Sequence, residues 1–568
     1  MIWLVLTLVL PLLLLLPAAS SGWRERLPLC LAPAAVPALV LGLTQAETLT
    51  LELPWLLTGL EFGMDGFRRT FVVLSGLLWT LAGAFAVPYL RDDPRKGEFA
   101  VFWLLTLAGK LMLVLAFDLV AFYTGFALMT FSGYGLVVHN RTAQAIHAGR
   151  IYLVMAILGE AALLAGLFMV GFEADTLALA EIPLTVAESE RRNLLVGLFI
   201  VGFGVKAGLA LLQLWLPLAH PVAPTPASAI LSGVMIKAGL LGWMLVLPFG
   251  ELALTGWGTV LVLLGALGSL GGALIGVTQT SDKAVLAYSS VSQMGFLVML
   301  LGVALAVPDS APMLLAGVAF YALHHGLAKG SLFFSTAAMA RPGGFSGALF
   351  WLMAIWPGLA LMGLPLTSGA AAKIQVKYTL PESSPDFWIG PWVEWLLMLG
   401  AVGTTVLVAR FLVCLSRSSS GRAPDTWLWI IWLALIAVSA VGVWLLPLPA
   451  GIELDAGMGP AALELLAPMV VGALFVLLAW YRPVPVRIPP GDLIVMVERL
   501  VRRADQRLVL SADRLEFHSE LWQQRARAAA QRVAGWNPIM VRMEQIMRRK
   551  AVWLFIALLL VLWAAFNF

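Results

Sequence analysis

The chain has 568 residues, of which 61% are hydrophobic and 12% charged, with a formal net charge of +4. A soluble domain carries about 25% charged residues, and a transmembrane β-barrel alternates apolar and polar residues over about ten positions. Neither pattern is present. Apolar runs of roughly 20 residues recur along the length instead, which implies an all-α polytopic membrane protein embedded in a lipid bilayer, with no nucleic-acid partner.

The opening "MIWLVLTLVLPLLLLLPAAS" ends in small residues near Ala18, as a signal peptide would. It lacks a basic leading region, so an uncleaved first helix is expected. About sixteen spans follow from the apolar runs, near 1–18, 28–44, 69–90, 99–117, 119–138, 151–171, 194–216, 225–248, 255–277, 284–306, 312–338, 347–379 (interrupted), 388–412, 426–447, 464–481 and 551–567. Cys30 and Cys414 lie in or beside such runs, and no disulfide, CxxC metal site or thiol chemistry is indicated.

Loop charge sets an orientation. With the N-terminus outside, the inside loops include "GWRER" (22–26), "RDDPRKGE" (91–98), "HNRTAQAIHAGR" (139–150), "SDK" (281–283) and "RSSSGR" (417–422). The outside loops, such as "FEADTLALAEIP" (172–183), "PESSPD" (381–386) and "GIELDAG" (451–457), carry acids and neither Lys nor Arg. That distribution follows the positive-inside rule. It places both chain ends outside and makes the protein a multi-pass component of a bacterial inner membrane. Arg68 and Arg69, at the start of the third span, are the exception.

Residues 489–535 differ in kind. Leu500, Val501, Leu508, Leu515, Leu521 and Trp522 recur at helical spacing among many arginines. The stretch is too polar to span a membrane and too long for a loop. A continuous helix of about 45 residues reaches roughly 65 Å, which suits a lateral amphipathic helix on the cytoplasmic surface. It would brace neighbouring subunits or only bind anionic lipid, and the span that follows it favours the brace by pinning its far end.

Charged residues within apolar spans cost several kcal/mol unless paired or hydrated, so they are functional candidates. Here they are Lys110, Glu160, Lys206, Lys237, His324, His325, Lys329, Lys373 and Lys377, with His220 at a turn. Such a row can pass protons from site to site when hydrated; interhelical ion pairs that specify packing are the alternative. Broken helices at membrane depth are tolerated where they line a polar cavity. "WLPLAHPVAPTPASA" (215–229) and "MGLPLTSGAAAK" (362–373) have the prolines and glycines for such breaks, although ordinary turns would account for 217–224. There is no P-loop, no dinucleotide-binding fingerprint and no Cys cluster, so neither catalytic residues, a cofactor nor a metal is expected. The glycine-rich "GALGSLGGALIG" (265–276) sits inside a span and reads as close helix packing.

At these residues the chain resembles a family. "GFGVKAGL", "LWLPLAHPVAPTPASAILSGVMIKAGLLG", "SDKAVLAYSSVSQMGF", "ALHHGLAKGSLFF" and "GLPLTSGAAAK" look like the antiporter-like subunits of respiratory complex I, of Mrp-type cation/proton antiporters and of membrane-bound hydrogenases. The lateral helix before a last span is similar to the distal subunit of such complexes. The resemblance implies two inverted five-helix repeats with broken helices, at 99–250 and 251–415. N-terminal helices would occupy 1–98, C-terminal helices 416–485, the lateral helix 486–550 and a terminal span 551–568. It also implies a proton-translocating subunit of a multi-subunit membrane complex, contacting other membrane subunits partly through 489–535. Lys206 matches the first-channel lysine, Lys237 that of the next helix, His325 and Lys329 the family's His and Lys, and Lys373 the lysine beside the second break.

Two departures stand out. Ala127 occupies the place of the glutamate that the family pairs with its first-channel lysine, and Leu218 replaces an acid. Either Glu160, on the next span, substitutes for the missing partner, or the first half-channel is altered. In the latter case the chain would be a scaffold or an energy-coupling subunit driving a partner's chemistry, such as inorganic-carbon uptake, a hydrogenase or a quinone oxidoreductase.

Overall fold

The structure is a computed structural model that describes residues 1–56, 59–174, 176–338, 344–381, 386–418, 425–452, 454–455, 457, 460–481 and 488. The lateral helix expected at 489–535 and the terminal span at 551–567 lie outside the described residues. The chain divides into two compact units. One comprises 1–52 and 61–490. The other comprises 53–60 and 491–568, and of it only the stretch 53–56 and 59–60 is described.

In chain order, α1 is Ile2–Leu13, α2 Ser21–Arg26 and α3 Val36–Thr44. The strands β1 (Leu49–Leu53) and β2 (Leu60–Met64) form a two-stranded sheet. Then come α4 (Gly66–Tyr89), α5 (Lys96–Leu115), α6 (Leu119–Val137), α7 (Ala143–Glu173) and α8 (Ile182–Glu188). The middle of the chain forms α9 (Arg192–Ala207), α10 (Trp215–Val222), α11 (Thr225–Ile230), a π-helical turn (Leu231–Met235) and α12 (Lys237–Val246). Next are α13 (Thr255–Val277), α14 (Asp282–Ala306), α15 (Ala311–Ala338), α16 (Gly344–Met362) and α17 (Ser368–Tyr378). The described helices end with α18 (Gly390–Arg417), α19 (Thr426–Ala440) and α20 (Pro460–Tyr481).

Among the described residues ten helices are long and apolar enough to cross a membrane, or eleven if the bent pair Ser21–Cys30 and Pro33–Thr44 is one span. The chain is therefore a predominantly helical polytopic membrane protein. Among the described residues some of the expected spans are broken or short: 194–216 divides into α9 and α10, and Thr426–Ala440 has only 15 residues. The small sheet is a departure from a strictly helical fold. "LTLEL" alternates between half-buried and exposed residues with period two, which strand geometry satisfies and helix geometry does not.

Polar residues at the loop ends set where helices begin. Asp65, Asp118, Thr142, Thr367 and Asp425 each accept a hydrogen bond from a backbone N–H in the first turn of α4, α6, α7, α17 and α19. The long α14 is buried from Ala284 to Ala306 and forms the core's central post. Glycines let α13 lie directly on it. A Cβ on Gly265 would come within 2.6 Å of the Gly295 carbonyl oxygen, and one on Gly258 within 2.5 Å of the Gly302 oxygen, as the glycine-rich run predicts. By contrast α20 is peripheral, and most of its apolar side chains face outward.

Arg68 and Arg69 are both engaged in structure, which explains their departure from the loop-charge pattern. Arg68 pairs with Asp65, donates to the Ala116 carbonyl at 3.0 Å and lies over the Phe117 ring at 4.6 Å. Arg69 donates to the Gly42 and Leu43 carbonyls at 2.8 and 3.1 Å. A hydrogen bond to a charged group contributes roughly 1.5–3 kcal/mol. Arg68→Ala should therefore destabilise the protein by about 2 kcal/mol or more, read as a lower thermal midpoint in detergent. An unchanged midpoint would contradict this account.

Candidate functional site

Lys206 occupies the last turn of α9. The helix ends because Gly208 adopts φ +74°, and Leu211, also at φ 74°, keeps 208–214 out of helical form. The break thus follows Lys206 directly, ahead of the proline-rich stretch, which instead forms the short helix α10. Trp215 folds back from α10 and donates its indole N–H to the Val205 carbonyl at 2.7 Å.

This fold-back builds an aromatic box. The Lys206 ammonium lies 5.3 Å from the Tyr152 ring, 5.8 Å from Trp215 and 5.9 Å from Phe126, distances at which ring faces attract a cation. It also donates to the Tyr152 hydroxyl at 3.3 Å, which donates in turn to the Thr130 carbonyl at 2.6 Å. Glu160 reaches the same place from α7, where Tyr152, Ala156, Gly159 and Glu160 share one face. Glu160 and Lys206 line one cavity of about 10 Å³, on the scale of a single water. Neither Glu160 carboxylate oxygen has a hydrogen-bond partner, although the residue is only 6% exposed. An unpartnered carboxylate facing an ammonium across a water-sized gap is placed to pair with it through small side-chain motions.

The remaining candidates lie deeper in the chain. Lys110 is fully buried on α5, and its ammonium has no hydrogen-bond partner. Lys237 starts α12 and donates to the Ser232 carbonyl at 2.6 Å. That carbonyl is free because the π turn diverts the Ile236 N–H to Leu231 O at 3.2 Å. The π turn meets α15 closely, with a Cβ on Gly326 falling 2.6 Å from Gly233 O. This contact brings Lys237 to the helix that carries His324, His325 and Lys329. Lys329 donates to Leu286 O at 3.0 Å. His325 is fully buried with both ring nitrogens unpartnered. His220 is likewise buried and unpartnered, and stacks on Phe333 at 4.9 Å. His324 Nδ1 hydrogen-bonds to the Ser368 hydroxyl at 2.8 Å, linking α15 to α17.

The second break lies between α16 and α17, where Gly363 and Leu366 take positive φ. Lys373 donates back across it to the Met362 carbonyl. Lys377 stands apart from the buried row: its side chain is 42% exposed and paired with Glu394 at 3.1 Å and Glu464 at 2.7 Å. Sequence reading missed both of these acids, and it missed the Tyr152, Phe126 and Trp215 box. It also missed a polar cluster in the core: Tyr321 O–H donates to Gln293 Oε1 at 2.8 Å, and the Gln293 amide donates to Thr404 at 2.7 Å. Helical spacing was the available signal for Tyr152, eight residues before Glu160 on the same face of α7.

The chain is thus a polytopic helical bundle broken after the buried Lys206 and again before the half-buried Lys373, with His220 and His325 buried and unpartnered in its core. Residues 116–396 match the family described as NADH:quinone oxidoreductase/Mrp antiporter, transmembrane. It is 31% identical over 299 residues to hydrogenase-4 component B of Escherichia coli (strain K12), an alignment covering 50% of this chain and 44% of that protein. It is 26% identical over 347 residues to a Na(+)/H(+) antiporter subunit of Alkalihalophilus pseudofirmus, covering 58% of this chain and 69% of that protein. The chain thus spans less than half the length of the first of these relatives. A protein of the Mrp complex from Dietzia sp. DQ12-45-1b shares the fold, with a TM-score of 0.74 at 20% identity over 95% of this chain and 63% of that one.

Proposed function

We propose that the chain is a proton-translocating, antiporter-like subunit of a multi-subunit complex in a bacterial inner membrane. Protons would move through Lys110, Glu160, Lys206, His220, Lys237, His324, His325, Lys329, Lys373 and Lys377. One observation carries this reading. Lys110, Lys237 and Lys329 are buried, yet the ion pairs found among the described residues lie elsewhere. Packing by ion pairs would need a carboxylate within reach of each lysine, because an unpaired buried charge is costly. Groups that gain and lose protons have no such need.

The finer architecture belongs to the same proposal. The break after Lys206 and the break before Lys373 support two inverted five-helix repeats at 99–250 and 251–415. Flanking them would be helices at 1–98 and 416–485, a lateral helix within 486–550 on the cytoplasmic side, and a terminal span at 551–568. That makes about sixteen spans with both ends outside. The relatives' names, a hydrogenase component and an antiporter subunit, fit a chain that works beside other membrane subunits through 489–535. The tight cavity at Lys206, with Ala127 nearby, favours a second reading: a scaffold or energy-coupling subunit whose first half-channel is altered.

The test is proton movement by the intact complex reconstituted in vesicles containing a pH-sensitive dye. The wild type should move protons, and Lys373→Ala should reduce the flux by roughly a hundredfold while the complex still assembles. A wild-type complex that moves no protons under its driving reaction would sink the reading.

A further inference from the structure

Between α17, α18 and α20 lies a cavity of about 410 Å³, with room for on the order of ten waters. Its walls are mostly apolar. Four titratable groups are among the described lining residues: Lys373, Lys377, Glu394 and Glu464. Lys373 and Lys377 are one turn apart on the same face of α17, so they line the cavity in sequence. Lys373 is held at the break by the Met362 carbonyl. Lys377 is at the open rim, clasped between Glu394 near the start of α18 and Glu464 near the start of α20. The two carboxylates are 64% and 57% exposed. Glu464 lies beyond the family-matched segment 116–396, so the rim is completed by a part of the chain outside that module.

We infer that this cavity is a hydrated vestibule and that Glu394, Glu464 and Lys377 form a proton-exchange mouth for Lys373. The inference rests on the proton-translocation reading. A proton leaves the Lys373 ammonium for a cavity water, passes to a rim carboxylate and is released to bulk; the reverse sequence loads the lysine. Two carboxylates against one ammonium leave the rim with one net negative charge when all three groups are ionised. A cleft lined by one sign of charge raises the local concentration of the opposite ion. Lys377 keeps the two acids apart from Lys373, so Lys373 is not locked in a permanent ion pair.

Two measurements on the full complex in vesicles test this. In the first, Ala461→Cys is made in a Cys30→Ser, Cys414→Ser background. A membrane-impermeant thiol reagent should label it from the side on which the rim opens. Labelling by a lipophilic reagent alone would mean a dry or lipid-filled cavity and would overturn the vestibule. In the second, Glu394→Gln with Glu464→Gln should slow proton flux roughly tenfold, the low end of what a charge-lined cleft supplies. The pH profile should also move toward acid, since the rim no longer concentrates protons. Glu394→Asp with Glu464→Asp should recover most of the flux, which a purely structural role for the pair would not predict. Unchanged flux and pH profile in an assembled Gln variant would overturn the mouth and leave the wider reading standing. Absence of flux in the wild type would instead remove the reading on which the mouth depends.

Discussion

Lys206→Ala should abolish proton translocation by the assembled complex, and Lys206→Arg should do so nearly as completely. The alanine variant removes the exchanging group from its aromatic box. The arginine variant keeps a positive charge against the same rings but cannot release a proton at any accessible pH. A positioned proton-transfer group contributes on the order of a hundredfold or more, so flux should fall by at least that factor in both. Assembly should survive in both cases. After truncation the box is still closed by the Trp215 N–H bond to Val205 and the Tyr152 O–H bond to Thr130. An assembled Lys206→Ala complex with wild-type flux would leave only the altered first half-channel. An active Lys206→Arg complex would mean that the charge alone matters.

Glu160→Gln should impair transport about as severely. The substitution keeps the shape of the side chain and removes the carboxylate charge that faces Lys206 across the water-sized cavity. At 4 Å a pair of unit charges interacts by about 4 kcal/mol at an effective dielectric of 20, and by about 1 kcal/mol in water. A small approach or separation of the two side chains therefore changes the lysine's hold on its proton by a large factor. Position 127 offers the control. Phe126 and Thr130 line the cavity from α6, and Ala127 lies three residues before Thr130 on the same face. Ala127→Glu combined with Glu160→Gln should restore part of the flux, measured in the same vesicles. Full activity of Glu160→Gln alone would end the role assigned to this carboxylate.

The fold class was legible because apolar run length and loop charge are direct consequences of the solvent a chain must face. Glu160 was legible as a misfit: an acid in "AILGEAALL" has to meet something. Its partners were less so. Tyr152 and Trp215 look like ordinary aromatic residues in sequence, and only the fold-back at 208–214 brings them to one ammonium. The prolines point to the wrong place for that break. Pro217 falls in the first turn of α10, where its missing N–H costs little. The left-handed residues Gly208 and Leu211 end the preceding helix, and a leucine gives no warning of such a conformation. Glu394 and Glu464 escape notice for a different reason. Glu464 lies 87 residues along the chain from Lys377, on a different helix from Glu394, and tertiary packing alone unites the three.

The π turn at 231–235 gives Lys237 a property that the other lysines lack. An ordinary helical turn repeats every 3.6 residues, whereas a π turn accommodates one residue more. If that surplus residue is passed along the helix, everything it crosses rotates by about 100° and slides by about 1.5 Å. Ile236 and Lys237 stand immediately beyond the turn. Moving it by one step would return Ser232 O to the backbone ladder, withdraw the ammonium's present acceptor and point the side chain at a different neighbour. A shift of the turn by one residue would thus re-aim this lysine by reallocating a single backbone hydrogen bond.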